Sequence, residues 1–115
     1  MRVALLNPNW SFAGSIYFGC REPHLPLELC CCKALLEAEG HAVRLLDAHL
    51  FDLSASDLRA ELQGFRPELT VVTTAPTYLF WRCAPPELRV PIELVRAIRD
   101  LAGTIVAVGP HGSTT

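Results

Sequence analysis

The residues best suited to hold a bulky cofactor lie near the carboxyl end, in Val106-Ala107-Val108-Gly109-Pro110-His111-Gly112, where a β-branched run empties into a glycine turn. In open parallel sheets ligands sit outside the carboxyl ends of the strands, and glycine is needed where backbone must approach a cofactor closely. This is the chemistry of binding rather than of turnover. The cysteines point elsewhere: Cys20, Cys30, Cys31, Cys32 and Cys83 are odd in number and lack paired C-x-x-C spacing, so reduced thiols are expected. Consecutive side chains on a helix diverge by about 100°, so Cys30, Cys31 and Cys32 do not converge on one ion and read as small buried hydrophobes. His41 reads as a turn residue beside Gly40, and His111 as packed or hydrogen-bonded within the glycine turn.

A chain of 115 residues is one domain or part of one, and 50% hydrophobic content suits parallel strands covered on both faces. Ten basic and twelve acidic side chains, without a Lys/Arg cluster, leave no electrostatic footprint for nucleic acid or an anionic membrane. The apolar start, Val3 to Leu6, is broken by Asn7-Pro8-Asn9 and is too short for a signal peptide or a spanning helix. The expected location is cytoplasmic.

Four strands alternate with three helices in the pattern. Arg2 to Leu6, Ala42 to Leu46, Leu69 to Thr73 and Thr104 to Val108 read as strands. Leu27 to Glu39 reads as a helix with Leu29, Cys32, Leu35 and Leu36 on one face and Gly40 as its stop. Ser54-Ala55-Ser56-Asp57 has capping-box spacing and opens a second helix with Leu58, Leu62 and Phe65 inward, ended by Gly64 and Pro67. Pro91 suits the first position of a third helix, Ile92 to Leu101, with Leu94, Val95, Ile98 and Leu101 inward and Gly103 closing it. Alternation of this kind implies right-handed crossovers and a parallel sheet. The expected fold is an α/β, flavodoxin-like (Rossmann-like) doubly wound sheet in the order 2-1-3-4, truncated after the fourth strand. Its switch point falls between the first and third strands, and both long connections, Asn7 to Pro26 and Thr74 to Val90, leave from those two strands. An unpaired fourth strand would expose apolar surface.

Several segments together resemble a family: Met1-Arg-Val-Ala-Leu-Leu-Asn-Pro8, Lys33-Ala-Leu-Leu-Glu-Ala-Glu-Gly-His-Ala-Val-Arg-Leu-Leu-Asp-Ala48, Leu69-Thr-Val-Val-Thr-Thr74 and Val108-Gly-Pro-His111. They are similar to the amino-terminal cobalamin-binding domain of B12-dependent radical SAM enzymes, and the resemblance spans residues 1–115. It implies cobalamin as cofactor and a C-terminal radical SAM domain in the same full-length chain, carrying a [4Fe-4S] cluster and S-adenosylmethionine, commonly for methyl transfer. The C-x-x-x-C-x-x-C cluster motif is absent from these 115 residues, so the radical chemistry is expected of that other domain.

The resemblance implies cofactor contacts at Thr73 and Thr74, with Thr77 a further candidate, where short hydroxyls would line the channel for the nucleotide tail. It places Gly109, Pro110, His111 and Gly112 against that tail or the corrin edge, and Asn7 and Pro8 at the first-strand exit. Plainer readings stand beside these: threonine favours strands, glycine favours tight turns, and Asn-Pro ends strands. Methionine-synthase-type relatives carry D-x-H-x-x-G after the first strand, whose histidine ligates cobalt. Here Glu22-Pro-His24 occupies that loop without the glycine, making His24 the candidate lower ligand, while Asp47-Ala-His49 follows the second strand and lies on the wrong loop. Tyr78, Phe80 and Trp81 would cover the corrin, meet the second domain, or form a satellite apolar cluster.

Other functions stay open on these residues. A stand-alone cobalamin sensor or carrier would use the same domain without catalysis. Gly40-His41-Ala42-Val43 also suits the amino-terminal half of a GT-B-like glycosyltransferase, whose donor contacts would lie in a second half. Flavin mononucleotide fits less well, because the first-strand loop lacks a Ser/Thr-rich phosphate cradle.

Overall fold

Alternation of apolar residues along Arg2–Asn7 (β1) sends Ala4 and Leu6 to one side of a sheet and Val3 and Leu5 to the other, all of them buried. The structure, a computed structural model, describes residues 1–10, 25–75 and 88–109. Beyond β1 the elements are Leu27–Ala38 (α1), Ala42–Asp47 (β2), Ala55–Phe65 (α2), Leu69–Thr73 (β3), Arg89–Ile98 (α3) and Thr104–Val108 (β4). The four strands form an all-parallel sheet in the order β2-β1-β3-β4, the flavodoxin-like arrangement expected from the alternation.

Two cores follow from the two faces. On one, Leu58 and Leu62 of α2 and Ile98 of α3 pack with Ala4, Leu6, Leu46 and Val72. On the other, Leu29 of α1 joins Val3 and Leu5, with Cys32, Leu36, Val43 and Leu45 half-buried around them. Leu35, expected inward, is 70% exposed, because the seam runs through Leu29, Cys32 and Leu36 and Leu35 is turned about 100° from the last of these. Of the cysteine run only Cys32 packs against the core, half-buried on that seam, while Cys30 is half-buried and Cys31 exposed.

Helix ends account for the remaining differences. Gly64 lies within α2, which stops at Arg66, left-handed at φ 55, because the following Pro67 disfavours helical backbone there. The Arg2 guanidinium donates to the Arg66 carbonyl at 2.7 Å. Helix α3 begins earlier than expected and holds Pro91 inside its first turn, where a missing N–H costs nothing. It also ends at Ile98, and Leu101 packs from the turn beyond.

The α2 start matches its sequence signal. Ser54 Oγ accepts from the Asp57 N–H at 3.1 Å and the Asp57 carboxylate accepts from the Ser54 N–H at 2.9 Å. That backbone bond, with the Ser54 hydroxyl second, holds the Asp57 carboxyl below its ordinary value. A carboxylate with a depressed folded pKa supports the fold above the unfolded value and loses that support as pH falls through the folded one. Ser54→Ala is expected to lower stability by about 1 kcal/mol at neutral pH, read from urea denaturation.

Strand β4 forms the edge beside β3. On the α1 side Val106 is 41% exposed next to half-buried Leu69 and Val71. Among the described residues, no helix is long and apolar enough to cross a membrane.

Candidate functional site

Parallel register brings the strand ends into one row. Asn7 stands opposite Asp47, Leu6 opposite Val72 so that Thr73 follows beside Asn7, and Thr73 opposite Val108. The row Asp47, Asn7, Thr73, Val108 therefore crosses the sheet at its carboxyl edge, on the α1 side, and includes the switch point between β1 and β3.

Each polar group in the row has a distinct state. Asn7, 5% exposed, donates through Nδ2 to Asp47 Oδ1 at 2.9 Å and accepts through Oδ1 from the Trp10 indole at 3.1 Å. Asp47 Oδ1 also accepts the Leu50 N–H at 3.1 Å, and the Asn7 carbonyl accepts the Ala48 N–H at 3.0 Å. Pro8 and Trp10 are fully buried, and His49 is buried close behind Asp47. Thr74 gives both its N–H and its hydroxyl to the Val108 carbonyl, at 2.9 and 3.1 Å. Thr73 is 4% exposed, and its Oγ1 finds no hydrogen-bond partner among the described residues.

Gly109 follows β4 with φ 122, and a Cβ there would stand 2.6 Å from Thr74 Oγ1. The space that glycine leaves is thus taken by the Thr74 side chain. Of the expected contacts, Asn7, Pro8, Thr73, Thr74 and Gly109 come together at this edge. Thr77, Pro110, His111 and Gly112, and the candidate ligand His24, lie outside the described residues, as do Tyr78, Phe80 and Trp81. Among the described residues no cluster of three or more His, Cys, Asp or Glu could hold a metal ion.

Asp47 and Trp10 are site residues that sequence reasoning passed over. Asp47 was set on the wrong loop by its position after β2, yet β2 adjoins β1 and places Asp47 at hydrogen-bond distance from Asn7. The available signal was the asparagine itself: a buried amide ending an apolar strand requires partners.

A cleft of about 370 Å³ opens on the opposite face, lined by Pro8 and Asn9, Leu58 of α2, and Arg89, Glu93 and Leu94 of α3. The resolved pKa shifts lie away from the edge row. Glu68, at the amino edge, is held below its ordinary value chiefly by the Arg2 N–H, and Asp100, between α2 and α3, by its hydrogen bond from Arg59. Both pairs brace the frame rather than the site.

Fold and edge together define an α/β protein of the doubly wound class, with its candidate site at the switch point of a flavodoxin-like sheet. Compared with family models, with curated proteins and with solved structures, the chain finds no match in any of the three.

Proposed function

We propose that this chain is a cobalamin-binding domain, the cofactor-carrying part of a B12-dependent radical SAM enzyme whose C-terminal domain would hold the [4Fe-4S] cluster and S-adenosylmethionine. One observation carries the reading: Thr73 Oγ1 is buried, without a partner among the described residues, at the switch point where ligands of such sheets bind. A buried hydroxyl without a partner costs about 1–3 kcal/mol, so it calls for an explanation, and a ligand atom supplies one.

The other residues divide the work differently from the sequence expectation. Thr74 is committed to the Val108 carbonyl and acts as wall rather than as donor. Gly109 admits that Thr74 side chain, so its freedom serves the wall first. Asn7 is committed at both ends of its amide and shapes the exit of β1. Thr73 is left as the hydroxyl that would hold the nucleotide tail. Bound cobalamin would supply a methyl carrier between S-adenosylmethionine and an unactivated carbon or phosphorus.

Thr73→Val separates this reading from a purely structural one. Removing an unsatisfied buried hydroxyl while keeping the β-branched shape is expected to leave stability unchanged or raise it by up to about 1 kcal/mol. Hydroxocobalamin affinity, followed by visible absorbance, is expected to fall about tenfold, the equivalent of one lost hydrogen bond. Unchanged affinity would remove Thr73 from the site and leave the reading without its main support.

A further inference from the structure

Asp47 is the one buried carboxylate among the described residues, and none of the contacts proposed for the cofactor uses it. An ionised carboxylate only accepts hydrogen bonds, and an indole N–H only donates. Asn7 stands between them, donating to one and accepting from the other. Turning the Asn7 amide over would set oxygen against the Asp47 carboxylate and N–H against the Trp10 N–H. Both ends forbid it, so the amide has one orientation.

The same Asp47 oxygen accepts the Leu50 N–H, and the Asn7 carbonyl accepts the Ala48 N–H. The exits of β1 and β2 are therefore laced together by side chain and backbone at one point. Trp10, fully buried, is the last described residue before the long β1–α1 connection. Its indole is anchored on Asn7, at the end of the strand that adjoins β3.

We propose that Asp47 is a positioning residue for the site: it fixes the Asn7 amide, which holds the Trp10 indole, and so sets the wall of the carboxyl edge next to Thr73. Asp47 itself touches no ligand. The effect on cofactor binding rests on the cobalamin reading, whereas the effect on Trp10 does not.

An exchange of the two side chains tests it. Asn7→Asp sets two buried carboxylates face to face and removes the donor to Asp47. Adding Asp47→Asn restores the pairing with its direction reversed. The amide now at position 47 donates to the carboxylate at position 7, which still accepts from Trp10; because one Asp47 oxygen accepts from both Asn7 and Leu50 in the parent, the reversed amide gives up the Leu50 N–H. The chain has two indoles, Trp10 and Trp81, and the ¹⁵N–¹H resonance of Trp10, assigned by its loss in Trp10→Phe, reports the anchor.

Asn7→Asp is expected to speed solvent exchange of that indole proton at least tenfold and to weaken hydroxocobalamin binding at least tenfold. The double variant is expected to recover most of both losses, short of the parent values by the missing Leu50 bond. An indole as protected in Asn7→Asp as in the parent would overturn the inference, and so would a double variant no better than the single one. If Asn7→Asp does not fold, a folded double variant with a protected indole supports the pairing, and an unfolded double variant overturns it. Indole protection that follows the exchange while no protein, parent included, binds hydroxocobalamin supports the positioning role and removes only the cofactor reading. Cofactor binding by a parent whose indole ignores the exchange removes only the positioning role.

Discussion

Gly103→Ala is expected to lower the unfolding free energy by about 3 kcal/mol, the largest single loss among the substitutions considered. Gly103 has φ +64, and a Cβ there would stand 2.5 Å from the Glu68 carbonyl oxygen and 2.8 Å from that of Pro67. The left-handed conformation alone costs an alanine roughly 1 kcal/mol. The clash adds more, because the obstacles are backbone. Glu68 accepts the Thr104 N–H at 3.0 Å and donates its own N–H to the Arg2 carbonyl at 2.8 Å, so yielding to the new methyl loosens the start of β3 against both neighbours. Urea denaturation checks the size of the loss. A fall of less than about 1 kcal/mol would mean that the α3–β4 turn relaxes freely and that Gly103 is not a tight packing position.

Gly109→Ala is expected to cost about 2 kcal/mol for a different reason. Its φ of 122 suits glycine, but the close atom is a side-chain oxygen, Thr74 Oγ1 at 2.6 Å. Removing that oxygen with Thr74→Ala is expected to recover about half of the loss, leaving the backbone strain, and a double-mutant cycle measures the coupling directly. Absence of coupling would show that Thr74 moves aside without cost. Hydroxocobalamin affinity across the same four proteins separates the two duties of the glycine. If Gly109 serves only Thr74, affinity recovers with stability; if backbone at 109 also meets the cofactor, affinity stays low in the double variant.

Local and periodic features were readable from the residues, and pairings distant in the chain were not. The apolar runs of β1 and β3 and the long connections leaving them placed the switch point, and Ser54 with Asp57 marked a capping box that is present on both sides. Leu35 was misplaced because a helix that covers only part of a sheet buries a narrow stripe, and hydrophobicity alone does not set its width. Pro91 marked the right helix but the wrong turn position, since any residue of the first turn can spare its N–H. Gly109 reads in the sequence as a gap for a cofactor, and the structure adds a second reason for glycine there, the Thr74 side chain of the neighbouring strand end. Asp47 was set aside for its place in the chain, and register made it the partner of Asn7 forty residues away. The sequence does not distinguish Thr73 from Thr74, and only their hydrogen bonds do: Thr74 donates to the Val108 carbonyl, whereas Thr73 Oγ1 has no partner among the described residues.

The most direct measurement is a titration of the purified protein with hydroxocobalamin, followed by visible absorbance and by retention of colour through a desalting column. A stoichiometric pink chromophore that stays with the protein, and is weakened by Thr73→Val without loss of stability, is the expected result. A folded protein that remains colourless at cofactor concentrations well above micromolar would contradict the cobalamin assignment.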